Sequence, residues 1–212
     1  VTGVSFGQVS PLESGDTLSQ DGHEFGMKSL SGIVRQPENK YKRDIKITLE
    51  GNGNRRYNFA NGRLVWLMDK EFAKLETRSG VIPPTERLPL FPKDKPLTVG
   101  AEWDVRLNGY SNQCGAWVTN LHANAKNGPD TKILINEVEV SLKIISITFT
   151  YVHQNSNIGL CDTIENLEFK VLYSPELNEV IVWEEKITKT GNSGQYLLGY
   201  NVTTRAITRV KK

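Results

Sequence analysis

The chain is short of the residues that most chemistry needs. Its 212 residues hold two cysteines, three histidines and two methionines. His23, His122 and His153 lie far apart, with no His-x-His, HExxH or CxxC spacing to build a metal centre. No GxSxG elbow, GxxxxGK[ST] loop or GxGxxG loop is present, which removes the common serine-hydrolase and nucleotide-binding signatures. Gly51-Asn52-Gly53-Asn54 reads as a turn between strands, since no helix start follows it. No metal and no cofactor is expected.

An excess of one charge is also missing. Lysine and arginine total 26 against 24 acidic side chains, for a net charge of +2. Only Lys40-Tyr41-Lys42-Arg43 and Arg209-Val210-Lys211-Lys212 cluster, so there is no basic stripe to neutralise a phosphate backbone, and nucleic acid is not an expected partner. No apolar run approaches the ~20 residues of a membrane-spanning helix. A charged-then-apolar leader is absent at Val1. The opening "VTGVSFGQVSPLESGDTLSQDG" is small and polar, as expected of a mature exported chain whose signal has been removed, or of a boundary within a longer one.

The two cysteines, Cys114 and Cys161, fit one disulfide in a β-rich exported protein. Closing that loop would stabilise the fold by ~4 kcal/mol in the chain-entropy model. Two unrelated buried thiols in a cytosolic protein are the other reading. Cys114 in "SNQCGAW" could also serve as a nucleophile beside a histidine, and pairing with Cys161 would abolish that role.

What is abundant is alternation of period two. Ile45, Ile47 and Leu49 alternate with Lys46, Thr48 and Glu50, one dry face and one wet. Tyr57 and Phe59 lead through Asn61-Gly62 to Leu64, Trp66 and Met68, a hairpin signature in which both turn residues accept positive φ. "MDKEFAKLETRS" fits either a strand or a short helix. In Glu137–Gln154 the apolar set changes from even (Val138, Val140, Leu142, Ile144) to odd (Ile145, Ile147, Phe149, Tyr151), which predicts a bulge or bend at Ile144-Ile145. "FKVLYSPELNEVIVWEE", residues 169–185, predicts a hairpin turning at Ser174–Glu179, with Val180–Trp183 as a central strand. Tyr196, Leu198, Tyr200 and Val202 alternate, and Ala206 and Val210 keep their parity.

These patterns predict an all-β fold: a curved antiparallel sheet forming a barrel, half-barrel or sandwich of about ten to twelve strands, with little helix. Five of the nine prolines fall between Pro83 and Pro96. Residues 79–100 are therefore a linker or surface crossover. It lies between an N-terminal lobe (1–78) and a C-terminal lobe (101–212), or within one domain. Leu88, Leu90 and Phe91 should pin it to the core.

Residues 171–184, "VLYSPELNEVIVWE", and residues 96–103, "PLTVGAEW", resemble a group of uncharacterised bacterial exported β-proteins, over about residues 88–205. In that group an aromatic, a tyrosine, a small residue and Pro-Glu precede a returning strand, and a PL-x-x-G-x-x-W stretch leads into another. The chain departs at Val171-Leu172, where the group usually has a tryptophan beside the tyrosine. The resemblance implies a periplasmic, envelope or secreted location, and it carries over no catalytic residue.

The functional expectation is a non-enzymatic periplasmic or envelope domain that binds a hydrophobic small molecule or a protein partner. Tyr173, Trp183, Trp103 and Trp66 are the candidate ligand-facing residues. A carbohydrate-binding or sugar-processing module is the alternative, with Glu184-Glu185 or Glu137 and Glu139 as paired carboxylates. An enzyme using Cys114 comes last.

Overall fold

The computed structural model describes residues 10–30, 33–35, 37–88, 90–92, 96–107, 110–111, 117–118, 121–153, 163–191 and 197–212. It is almost wholly strand. The N-terminal part holds β1 (Thr17–Leu30), β2 (Ile33–Arg35), β3 (Glu38–Leu49), β4 (Arg55–Phe59), β5 (Leu64–Met68), β6 (Lys74–Thr77) and β7 (Gly80–Val81). After a short 3-10 turn at Pro84–Glu86 come β8 (Glu102–Leu107), β9 (Tyr110–Ser111), β10 (Trp117–Val118), β11 (Leu121–Asn127) and β12 (Thr131–Ile135). The chain ends with β13 (Val138–His153), β14 (Thr163–Ser174), β15 (Glu179–Gly191) and β16 (Leu197–Lys211).

Fourteen of these strands form one antiparallel sheet, in the order β7-β6-β5-β4-β3-β1-β16-β15-β14-β13-β11-β8. β2 pairs with β1 and β12 with β13 as branches, while β9 and β10 pair with each other. Most neighbours are joined by short turns, so antiparallel pairing follows from chain order. The long-range joint is β1 on β16, which brings the two ends of the chain together. The outer strands β7 and β8 do not pair, so the sheet stays open and the expected barrel does not close.

The sheet curls instead. Tyr57 on β4 reaches Glu179 at the start of β15, Arg55 donates to the Asn178 carbonyl, and Lys74 on β6 lies over the Trp183 ring on β15. The limb β4–β6 therefore folds over β15. One contiguous core runs from Leu18, Ile45 and Ile47 to Val105, Ile145, Ile147, Phe149 and Ile181.

The hairpin at Asn61-Gly62 is present, with a different turn. Only Gly62 has positive φ (+79°), Gly62 N–H donates to Phe59 C=O, and pairing slips between Tyr57 and Asn58. That is a type I turn closed by a glycine bulge. The turn with two positive-φ residues occurs at Asn136 (51°) and Glu137 (65°), between β12 and β13. There the Asn136 amide both accepts from Val210 N–H and donates to Val210 C=O, so the hairpin tip docks on β16 as a strand neighbour would.

β13 changes its buried set between Leu142 and Ile145. Its partner changes at the same place, from β12 to β11, while pairing with β14 runs unbroken from Lys143. β16 departs from the expected parity. A bulge opposite Ser19-Gln20 leaves Thr208 unpaired, so Ile207 rather than Ala206 shares the buried face with Val210. "MDKEFAKLETRS" resolves as a turn and β6, with Phe72 at φ 63° and its ring buried. The proline-rich stretch is held down as expected: Leu90 is fully buried, and Leu88, Phe91 and Leu97 pack on the core.

Candidate functional site

The curl brings charged residues onto the apolar face. On β3, Tyr41 and Arg43 continue the inward parity of Ile45 and Ile47. On β16, Arg205 continues that of Ile207, and on β15 Glu179 continues that of Ile181 and Trp183. β1 supplies Gln20 and Glu24, with Gly22 between them. Gly22 is paired with Tyr41, and a Cβ there would stand 2.0 Å from the Tyr41 ring. Glycine at this position lets the tyrosine ring lie across β1.

Besides an open groove of about 420 Å³ along Asp21, His23, Lys40, Lys42 and Thr204, two spaces lie at the curl. One is a small, narrow-mouthed cavity of about 30 Å³ between Leu18, Ile45, Tyr57, Met68, Glu179 and Ile181. That is room for a water or so and no room for a lipid chain. The other is an open cleft of about 320 Å³, within the range of small-molecule sites. Tyr41, Phe59 and Trp66 give it aromatic walls, and Arg43, Lys74, Arg78 and Arg205 line it against a single carboxylate, Glu24. Trp66, Lys74 and Arg205 border both spaces.

Arg43 sits among rings, 5.0 Å from the centroid of Tyr41, 5.2 Å from Trp66 and 5.6 Å from Phe59. Its Nε donates to Gln20 at 2.8 Å. The Arg205 guanidinium lies 5.9 Å from the same Trp66 ring. Burial, and then the Arg205 charge, pull the Arg43 pKa below its ordinary value, against Tyr41 and Glu24. Lys74 Nζ is 4.4 Å from the Trp183 centroid. Part of Lys74 reaches solvent, yet its ammonium is deep enough among protein atoms that burial, helped by Arg205 and opposed by Glu185, brings its pKa down to about 8. None of Arg43, Lys74, Arg78 and Arg205 is in an ion pair among the described residues. Lys40, Lys42, Arg56, Lys126, Lys132, Lys143, Lys186, Lys211 and Lys212 are, while Lys46, Arg63, Lys70, Arg106, Lys170 and Arg209 on the surface are unpaired as well.

Three donors here have no protein acceptor: Trp66 Nε1, Trp183 Nε1 and Arg205 Nε are buried and unpaired. Below them lies a satisfied carboxyl. The Tyr57 hydroxyl donates to Glu179 (2.8 Å to Oε2, 2.9 Å to Oε1), as does Val180 N–H at 2.9 Å. Burial raises the Glu179 pKa to about 7, although Tyr57, Arg55 and Val180 all oppose the rise.

Of the expected ligand-facing residues, Trp66 and Trp183 meet at the small cavity, and Trp66 also lines the cleft. Tyr173 lies elsewhere: it packs edge-on against Phe72 and Phe91, with its hydroxyl donating to Asn178 Oδ1. Trp103 is buried on β8 and lines neither space. Arg43, Arg205, Lys74 and Glu179 were not singled out from sequence. The usable signal at Arg43, Arg205 and Glu179 is a charge at a position whose strand parity is apolar. His23 and His122 are exposed beside Glu38 and Asp104.

Cys114 and Cys161 lie outside the described residues, as does the Trp117 side chain. Leu107 is paired with Leu121, and His153 with Thr163.

No protein-family profile matches the chain, and no curated protein does. Among solved structures, a candidate exported protein of Bacteroides fragilis with a YmcC-like fold aligns over 96% of this chain and 99% of its own, at 9% identity and a TM-score of 0.35. At that distance the side chains themselves have to carry the functional reading.

Proposed function

We propose that the chain is a non-enzymatic binding domain that works outside the cytoplasm and holds a small molecule in the cleft between β3, β5, β6 and β16. The observation that carries this is the aromatic wall of Trp66, Phe59 and Tyr41 around about 320 Å³ of open space. A ligand buried wholly in the core is disfavoured, because the small cavity is water-sized. The large exposed apolar residues Leu49, Val81, Val99 and Leu134 come from four separate segments, which favours a small molecule over a protein docked on an apolar patch. Trp103 and Trp183 are buried, so they offer no exposed stacking face to a sugar.

The extracytoplasmic location rests on the resemblance of residues 171–184 and 96–103 to exported β-proteins.

Binding is tested by titrating the protein with a flat apolar probe, 2-naphthamide, and following tryptophan fluorescence and calorimetry. The expected result is one saturable site, lost in Trp66→Ala and in the milder Phe59→Leu, and kept in Trp103→Phe. Binding that survives both cleft variants, or that is absent from the native protein, would sink this assignment.

A further inference from the structure

The cleft also shows what its ligand carries. We infer that it takes a small organic anion, with its flat apolar body against Trp66 and Tyr41 and its acidic group among Arg43, Lys74 and Arg205. This rests on the cleft being a binding site, and adds the chemical class of the occupant.

The unmet polar needs all have one sign. Trp66 Nε1 and Arg205 Nε lack acceptors and are shut off from solvent, so an occupant of the cleft meets them only when these side chains turn toward it; among the described residues no orphaned acceptor lines the cleft. Each such buried donor costs free energy until an acceptor meets it. The charges agree. Two guanidiniums lie within 6 Å of one indole ring, at 5.2 and 5.9 Å, and a third cation, Lys74, lines the same space. Their mutual repulsion is relieved only in part by Glu24, which acts on Arg43, and by Glu185, which acts on Lys74. An anion supplies both the acceptors and the charge, through charge-assisted hydrogen bonds. The guanidinium plane and indole face also suit a flat body, since arginine stacks on aromatic rings while it binds an acid.

The experiment compares matched probes on the full chain: 2-naphthoate, 2-naphthyl phosphate, neutral 2-naphthamide, and inorganic phosphate. The two aromatic anions should bind about tenfold or more tighter than the amide, with an advantage that shrinks as salt rises. Arg205→Gln and Lys74→Met should each remove most of that advantage, while Arg209→Gln, outside the cleft, should keep it. A cooperative denaturant transition reports that the variants are folded. A preference for the phosphate over the carboxylate would identify the acidic group as a phosphoester, and the reverse as a carboxylate. Equal affinities for 2-naphthoate and 2-naphthamide, both lost in Trp66→Ala, would overturn the anion assignment while sparing the cleft. Binding of no aromatic probe would overturn the cleft itself. Inorganic phosphate binding as tightly as the naphthyl ester would refute the flat-body requirement.

Discussion

Glu179 offers the sharpest test of how the curl is held. Its side chain is 2% exposed, its carboxyl meets the Tyr57 hydroxyl, and burial raises its pKa to about 7. In the unfolded chain the same group titrates near ~4.3. Between those values the native state binds the extra proton, so unfolding free energy falls as pH rises through that window and levels off above it. The difference of nearly three pH units corresponds to about 4 kcal/mol in full, of which about 3 kcal/mol falls between pH 5 and pH 8.5. Glu179→Gln removes that dependence while keeping the shape of the group. At pH 5 the variant should be about 1 kcal/mol less stable than the native protein, because the amide NH2 replaces one of the two oxygens that accept from the Tyr57 hydroxyl. At pH 8.5 the order should reverse, with the variant ahead by about 2 kcal/mol. The reversal is moderated by Arg55, whose charge loses its partial counter-ion in the variant. Guanidinium denaturation midpoints at the two pH values read this directly. For a chain of this size the native protein's loss corresponds to about 6–12 °C in melting temperature. Parallel pH profiles for native protein and variant would refute a carboxyl that folds neutral.

The other expectations concern separate parts of the fold. Lys74→Met should raise stability near pH 7 by about 1–2 kcal/mol, since Lys74 is partly exposed and only part of its burial penalty is recovered. The native protein should gain stability as pH rises from about 8 toward the unfolded lysine value of ~10.4, and the variant should lack that rise in denaturant titrations. Gly22→Ala should cost about 1–3 kcal/mol by forcing the Tyr41 ring off β1, and the double variant Gly22→Ala/Tyr41→Ala should be less destabilised than the two single costs added together. Leu90→Ala should cost about 2–5 kcal/mol, whereas Leu134→Ala should stay within about 0.5 kcal/mol, both read from denaturant midpoints. Alkylation of the unfolded, unreduced protein should leave Cys114 and Cys161 unmodified until reductant is added; modification without reductant would count against the disulfide.

Much of the strand plan was legible because it is written in local alternation. Ile45/Ile47, the Asn61-Gly62 hairpin, the parity change in β13 and the turn at Pro175–Asn178 all follow from period two and turn chemistry. The errors have local causes. The bulge at Thr208 shifts β16 by one residue, and nothing in "TTRAITRV" announces it. The turn geometry at Asn61-Gly62 was assigned by composition, and the register slip at Tyr57/Asn58 selected another turn. Tyr173 and Trp103 occupy other parts of the sheet from Trp66 and Trp183.

What the sequence determined by itself was the kind of structure: antiparallel strands, their approximate limits, and a pinned proline-rich crossover. Each of these depends on residues a few positions apart. The tertiary structure decided what the strands enclose. β4–β6 fold over β15 and the sheet stays open, so the interior shrinks to a water-sized cavity while Arg43, Lys74 and Arg205 converge on Trp66 from three strands. Those cations are separated by 31 to 162 positions in the chain. Only the curl of the sheet sets the distance between them, and no local pattern can encode a distance fixed by the twist and bulges of the strands between.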